Sequence, residues 1–259
     1  MYVCAAKVDI GVSESHNDDR ILLGGNIISD GVISSVIEDE YILAAVCDGV
    51  GGLAQGFKAA EITLNFMAFI NRSGVGAGTI KNAIEESNRR VRKYQLENNL
   101  PHGARTTISG IYAEKESFIV FNAGDSRVYR FRHKYVRQLT KDNSYVQDLI
   151  DLGEITSDEA KTHPQRNLIN KCIGNEETVN PKITVLDNDL IQGDILMLCS
   201  DGISDVLTNM DIQEIIYQHK DEKDLTHCCE AIYQKALDNG SMDNLSVLLI
   251  RKDGNNNEC

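Results

Sequence analysis

Six aspartates stand where apolar, strand-like segments begin or end: Asp18, Asp19, Asp48, Asp125, Asp201 and Asp243. A carboxylate at a buried strand end loses hydration, so it requires a cation or hydrogen bonds in compensation. Each one alone also fits a turn, because Asp-Gly is a common turn signal. Clustered, they would form an all-oxygen site, which suits Mg²⁺ or Mn²⁺ rather than Zn²⁺. Two such ions can hold a phosphoryl group for in-line attack by water.

Other hydrolytic chemistries lack their motifs in this sequence. There is no HExxH, no GxSxG, and no cysteine followed six residues later by arginine. Residues 51–58 (GGLAQGFK) superficially match a phosphate-binding loop, but Phe57 stands where that loop requires lysine.

A scaffold of strands would have to position these carboxylates. Apolar runs predict strands at 3–10, 41–47, 106–113, 117–122, 128–131, 195–199 and 245–250, and helical spacing predicts helices at 59–70, 79–97, 210–219 and 225–239. Strands and helices do not alternate as in a βαβ chain, which favours mainly antiparallel sheets with flanking helices. Residues 140–174 hold short helical pieces, typical of a flap over a site or of a packed connection.

Composition narrows the class of protein. The 259 residues carry 26 Lys+Arg against 39 Asp+Glu, and this net charge of -13 disfavours nucleic-acid binding. No apolar run reaches the ~18 residues of a membrane span, and the N-terminus lacks a signal-peptide pattern. We therefore expect a cytoplasmic protein that binds neither nucleic acid nor membrane. We predict one catalytic domain over residues 1–252 and a polar, disordered tail over 253–259.

The motifs, taken in order, resemble the bacterial type of protein phosphatase 2C, a family of metal-dependent serine/threonine phosphatases. The resemblance spans residues 7–250 in seven blocks: DIG with NDD at 9–19, DGVGG at 48–52, TT at 106–107, NAGDSR at 122–127, LTKDNS at 139–144, CSDG at 199–202 and DN at 243–244. It implies an α+β fold with four layers, αββα, in which helices flank two mainly antiparallel sheets.

The resemblance also implies a metal centre at one end of the two sheets. Asp48 would bridge two Mn²⁺ or Mg²⁺ ions, and the Gly49 carbonyl would bind one of them. Asp201 and Asp243 would hold the other, so Asp48, Asp201 and Asp243 are the expected catalytic residues.

The same resemblance implies that three more aspartates lie around the two central ions. Asp18 and Asp19 would act mainly through metal-bound water, whereas Asp125 would join Asp201 in holding a third ion. Residues 140–174 would form a flap beside that third ion.

The sequence departs from the family where the substrate phosphate would bind. The family carries an arginine at the position of Glu14, and a carboxylate there would repel phosphate. The glycine that the family places before Thr-Thr is Arg105 here. We hypothesise that Arg105, or Arg20 beside Asp19, supplies the missing positive charge. The alternative is that both arginines are ordinary surface residues.

The family's general acid is also missing. Its histidine would stand at Val50 or Leu53, and this chain has none at either position. His16, His102 and His163 are candidates by proximity alone, and the sequence favours a surface position for each of them.

The leading hypothesis is a signalling hydrolase that removes phosphate from phosphoserine and phosphothreonine in proteins, using water activated by two metal ions. Its substrate would be a phosphoprotein modified by a Ser/Thr kinase, and the enzyme itself would be a monomer. Two alternatives stay open: a regulatory or binding module with weakened catalysis, and a phosphatase of a small phosphomonoester. Glu14 favours the alternatives, whereas the six aspartates favour the enzyme.

Overall fold

The computed structural model describes residues 1–50, 55–100, 103–115, 117–186 and 190–254. Its strands are β1 (Tyr2–Asp9), β2 (Arg20–Leu23), β3 (Asn26–Ile28), β4 (Gly31–Ile37), β5 (Ile42–Cys47), β6 (Ile108–Glu114), β7 (Ser117–Ala123), β8 (Arg127–Arg132), β9 (Tyr135–Gln138), β10 (Lys182–Leu186), β11 (Ile195–Cys199) and β12 (Leu245–Lys252). Its helices are α1 (Gly56–Ala68), α2 (Ala77–Glu97), α3 (Tyr145–Asp151), α4 (Ser157–Ala160), α5 (Asp201–Ser204), α6 (Asn209–His219) and α7 (Thr226–Asp238).

The strands form two sheets of six. The first has the order β4-β1-β12-β11-β8-β9, and the second has the order β10-β7-β6-β5-β2-β3. Every described strand pair is antiparallel. This agrees with the prediction of antiparallel sheets, which rested on the lack of βαβ alternation.

Three apolar layers hold the fold together. One lies between the two sheets, a second lies between the second sheet and helices α1 and α2, and a third lies between the first sheet and helices α6 and α7. The predicted four-layer αββα arrangement is therefore confirmed.

Strand β5 shows why the central strands read as unbroken apolar runs. All six of its residues are buried, because successive side chains point to opposite faces of a sheet and both faces are covered. Ile42 and Val46 pack between the sheets, whereas Leu43 and Cys47 pack under α1 and α2. Asp48 is the first residue after this buried strand.

Several elements were not predicted from the sequence. These are β2, β3 and β4 within residues 20–37, together with β9, β10 and the short helix α5. Strand β4 pairs with β1 alone and is largely exposed, so it lacks the pattern of a buried strand. Among the described helices, none combines the length and apolarity that crossing a membrane would require.

The first residue of the predicted tail, Asp253, is bonded to the rest of the protein. The Asp253 N–H donates to the Met1 carbonyl over 3.2 Å, and its carboxylate pairs with Arg251 at 2.7 Å. Asp253 therefore belongs to the folded domain. Residues 255–259 of the predicted tail lie outside the described residues.

Candidate metal centre

The ends of the central strands bring aspartates from both sheets together. Asp48 follows β5 of the second sheet, Asp201 follows the β11 end of the first sheet by two residues, and Asp243 precedes β12 beside it. Burial is the main cause that raises the pKa of Asp48 well above its usual range, and repulsion from Asp201, Asp19, Asp125 and Asp243 adds to it. These carboxylates therefore lie near one another.

Asp201 lies in the same electrostatic environment. Burial raises its pKa well above the usual range, and Asp125, Asp205 and Asp243 add repulsion, while a hydrogen bond to Asp48 opposes the shift. Asp205 was missed by the sequence analysis. It stands four residues after Asp201, one turn later at the end of α5, so its i,i+4 spacing was the available signal.

The Asp48 peptide is fixed by two threonines. The Asp48 carbonyl accepts hydrogen bonds from Thr106 Oγ1 at 2.9 Å and from the Thr107 N–H at 2.8 Å. The Asp48 N–H donates to Thr107 Oγ1 at 3.0 Å, and that hydroxyl bonds Ser126 Oγ at 2.6 Å. The Thr-Thr block therefore positions the central carboxylate, a role that the sequence analysis did not assign.

Asp19 reaches across to the first sheet. Its Oδ2 accepts from Ser200 Oγ at 2.7 Å, and Ser246 Oγ donates to Ser200 Oγ at 3.1 Å. Asp19 is 1% exposed, and burial raises its pKa to about 7, against the hydrogen bonds from the two serines. These serines were also missed, because hydroxyl partners leave no distinctive spacing in a sequence.

Asp18 is held between the N-terminus of α1 and the loop before β12. Its Oδ1 accepts from the Phe57 N–H at 3.0 Å, and its own N–H donates to Asn244 Oδ1 at 2.7 Å. A Cβ on Gly49 would lie 2.5 Å from the Gly56 carbonyl carbon and 2.8 Å from the Asp18 Cβ. Close backbone packing therefore requires glycine at position 49.

The residues fit a divalent cation. Asp125 is 9% exposed, and its Oδ1 is buried with no hydrogen-bond partner in the described part of the chain. Burial, followed by repulsion from Asp142 and Asp205, raises its pKa to about 7. A buried carboxylate oxygen without a donor is expected where a cation supplies the compensating charge. Across the described ranges, however, no three His, Cys, Asp or Glu side chains close around a point as a formed metal site.

A cavity of about 710 Å³ adjoins these carboxylates. Asp125, Asp201, Arg127 and Asp142 line it, together with residues of α3 and α4 and of the segment 204–210. Inside it, Arg127 binds Asp142 through Nε and Nη2, with the shortest contact at 2.6 Å. The segment predicted to be a flap, residues 140–174, therefore supplies one wall of the cavity.

The two candidate phosphate ligands have different surroundings. Arg20 donates through Nη1 to the Asn17 and Asp19 carbonyls and through Nη2 to Glu61, whereas its buried Nε, like that of Arg105, has no partner among the described residues. Among the residues that the structure describes, Arg105 Nε is buried without a partner and no acid pairs with its guanidinium. Glu14 is exposed on the loop before Asn17.

The histidine candidates have different surroundings. His16 lies close enough to Asp18 to lower the pKa of that carboxyl, against the larger effect of burial. His163 packs beside Tyr145, with ring centroids 6.0 Å apart, and its Nδ1 accepts from the Gln165 N–H. His102 and Leu53, like Gly51 and Gly52 of the DGVGG block, lie outside the described residues.

Comparisons with known proteins give a consistent result. The family model described as Protein phosphatase 2C matches residues 22–246. The chain is 27% identical over 254 residues to the serine/threonine phosphatase stp of Listeria monocytogenes, covering 95% of this chain and 94% of that one. The structure of serine/threonine phosphatase Stp1 from Staphylococcus aureus superposes with a TM-score of 0.83 at 26% identity, over 97% and 95% of the two chains. The structure of the catalytic domain of serine threonine protein phosphatase PstP in complex with two manganese ions superposes with a TM-score of 0.79 at 26% identity. The match covers 98% of this chain and 100% of that one.

Proposed function

Because this chain belongs to the protein phosphatase 2C family, we propose that it hydrolyses phosphoserine and phosphothreonine in proteins. Its similarity to named serine/threonine phosphatases covers nearly the whole chain. The carrying observation is that Asp48, Asp125 and Asp201 lie near enough to one another, at one end of both sheets, for their charges to repel; bound cations would relieve that repulsion. The proposed substrate is a phosphoprotein made by a Ser/Thr kinase, and the enzyme acts as a cytoplasmic monomer.

The resemblance to the family implies a role for each carboxylate. Asp48, the Gly49 carbonyl, Asp201 and Asp243 would hold two Mn²⁺ or Mg²⁺ ions, and Asp125 with Asp201 would hold a third. The bound ions supply Lewis-acid activation of water and offset the charge of the phosphate. Thr106 and Thr107 fix the Asp48 peptide, so they would hold its carboxylate in place beside the ions.

Asp18 and Asp19 act one step further out. Asp18 Oδ1 is occupied by the α1 N-terminus and Asp19 Oδ2 by Ser200. In this proposal the remaining oxygens of the two carboxylates would orient water next to the ions. Loss of Asp18 is accordingly expected to reduce turnover less than loss of Asp48.

Arg105 is the proposed phosphate ligand. Its carbonyl accepts from the N–H of Val50, two residues after Asp48, at 3.0 Å. Its buried Nε has no partner among the described residues. A buried guanidinium nitrogen without an acceptor is costly, and a phosphate oxygen would satisfy it. Arg105→Ala is expected to raise KM for a phosphopeptide several-fold and to leave Mn²⁺ affinity unchanged.

The test is hydrolysis of a phosphothreonine peptide and of p-nitrophenyl phosphate, with and without Mn²⁺. Wild-type protein should turn over the peptide in Mn²⁺, Asp48→Asn should lose at least a hundredfold in kcat, and Asp18→Asn should lose less. Asp39→Asn, at an exposed loop position, is the matched control. Absence of Mn²⁺-dependent turnover of both substrates would overturn the proposal.

Glu14 supports a second candidate function, a phosphoprotein-binding module with weak catalysis. The residue is exposed beside the Asn17–Asp19 turn, at the position where the family carries its phosphate-binding arginine. Glu14→Arg separates the two functions. A large gain in kcat/KM would show that phosphate capture limits an otherwise competent enzyme, whereas phosphopeptide binding without turnover in both proteins would favour the module. Turnover of p-nitrophenyl phosphate but not of the peptide would favour a small phosphomonoester.

A further inference from the structure

Arg20 lies at the turn that carries Asp18 and Asp19. It is the first residue of β2 and pairs with Cys47, the last residue of β5, so it stands beside the residue that precedes Asp48. It is 7% exposed. An arginine so deeply buried requires acceptors within the protein.

One nitrogen of Arg20 binds the carbonyls on both sides of Asp18. Nη1 donates to the Asn17 carbonyl at 2.8 Å and to the Asp19 carbonyl at 2.7 Å. The Asp19 N–H donates in turn to Asn17 Oδ1 at 3.0 Å. The turn is therefore closed around the guanidinium, and the directions of both carboxylates depend on it.

The other end of the guanidinium is tied to helix α1. Nη2 lies 3.3 Å from Glu61 Oε1, and the guanidinium carbon lies 5.7 Å from the Phe57 ring centroid. Phe57 is also the residue whose N–H binds Asp18 Oδ1. Arg20 thus joins the turn to the same helical turn that holds the Asp18 carboxylate.

We infer that Arg20 is a positioning residue that holds Asp18 and Asp19 at the metal centre through the backbone of residues 17–19 and through Glu61. The inference rests on the proposed function, since it assumes that divalent cations bind beside these carboxylates. It assigns Arg20 a role other than phosphate binding. Partners that orient metal-binding groups typically contribute 10–100-fold to metal affinity.

The test measures Mn²⁺ affinity by isothermal titration calorimetry, with thermal stability recorded for each variant. Arg20→Met should weaken Mn²⁺ binding by about tenfold or more, without a matching change in KM for phosphopeptide. Arg20→Lys should recover part of the affinity, because one ammonium nitrogen can reach both carbonyls. Lys58→Met is the matched control: Lys58 Nζ also pairs with Glu61, at 3.1 Å, but no bond joins it to the turn.

The outcomes separate this inference from the proposed function. If the wild type binds Mn²⁺ and folded Arg20→Met binds it equally well, the positioning role is overturned even if its melting temperature falls. Should Arg20→Met not fold, Arg20→Gln, which keeps a donor, decides the question by the same comparison. If the wild type binds neither Mn²⁺ nor Mg²⁺, the proposed function fails, and the positioning role fails with it.

Discussion

Without divalent cations, the carboxylate cluster should make the stability of the protein depend on pH. Burial raises the pKa of Asp19 and of Asp125 from 3.8 to about 7. The folded protein therefore retains protons that the unfolded chain releases between about pH 4 and 7. Since the folded state binds more protons in this window, the free energy of unfolding must fall as pH rises through it.

The size of the effect follows from the same shifts. One pKa unit corresponds to about 1.4 kcal/mol. For a carboxyl that titrates near 7 instead of 3.8, the contribution to the free energy of unfolding therefore falls by about 3 kcal/mol between pH 5 and pH 8. The free energy of unfolding of a typical domain is only about 5–15 kcal/mol. The cation-free protein should therefore be clearly less stable at pH 8 than at pH 5.

Urea denaturation in EDTA at pH 5, 6, 7 and 8, followed by circular dichroism, measures this slope. Asp19→Asn should flatten it, because the amide keeps an acceptor for Ser200 but cannot ionise. Asp39→Asn, on an exposed loop, should leave it unchanged. Saturating Mn²⁺ should reverse it, since ligand carboxylates must be deprotonated to bind. An unfolding free energy in EDTA that stays constant or rises from pH 5 to pH 8 would refute the reasoning.

Two further predictions concern packing around the site. A Cβ on Gly202 would lie 2.0 Å from a backbone carbonyl oxygen in the segment before β12, so Gly202→Ala should destabilise the protein by about 1–3 kcal/mol. The control is Gly78→Ala, in open space on α2, which should stabilise the protein by up to about 1 kcal/mol. Equal melting temperatures of the two variants would contradict the packing argument. Arg127→Met would leave Asp142, whose side chain is 10% exposed, without its arginine partner. The free energy of unfolding should fall by about 3–5 kcal/mol, measured by urea denaturation. An unchanged denaturation midpoint would disprove the importance of this ion pair.

The buried parts of the fold were predictable because burial leaves a pattern. Strands β5 and β11 are covered on both faces, so each reads as an unbroken apolar run, and the structure confirms both. Strand β4 pairs with β1 on one edge and is largely exposed, so no burial pattern marks it. Helix α5 was missed because its Asp-Gly start is also a turn signal.

The sequence predicted which residues lie at the site, but it could not predict the partners of their side chains. The aspartates stand out because charge is unusual next to buried strands, and the structure brings them together; their service as metal ligands stays a prediction. The role of Arg20 depends on the direction of a guanidinium, which tertiary packing sets. Its position beside Asp19 suggested phosphate binding, whereas the fold turns it towards the carbonyls of Asn17 and Asp19.

The pairing of β1 with β12 has a consequence for biosynthesis. These strands are joined along their full length, from Tyr2 with Lys252 to Asp9 with Leu245, and a side-chain bond from Asn244 fixes the Asp18 backbone across 226 positions of the chain. Contacts this distant in sequence form late, because the intervening chain must first exist and then close. A ribosome-bound chain that lacks β12 would therefore have neither a complete first sheet nor an assembled metal centre. Phosphatase activity should appear only after synthesis has passed the final strand.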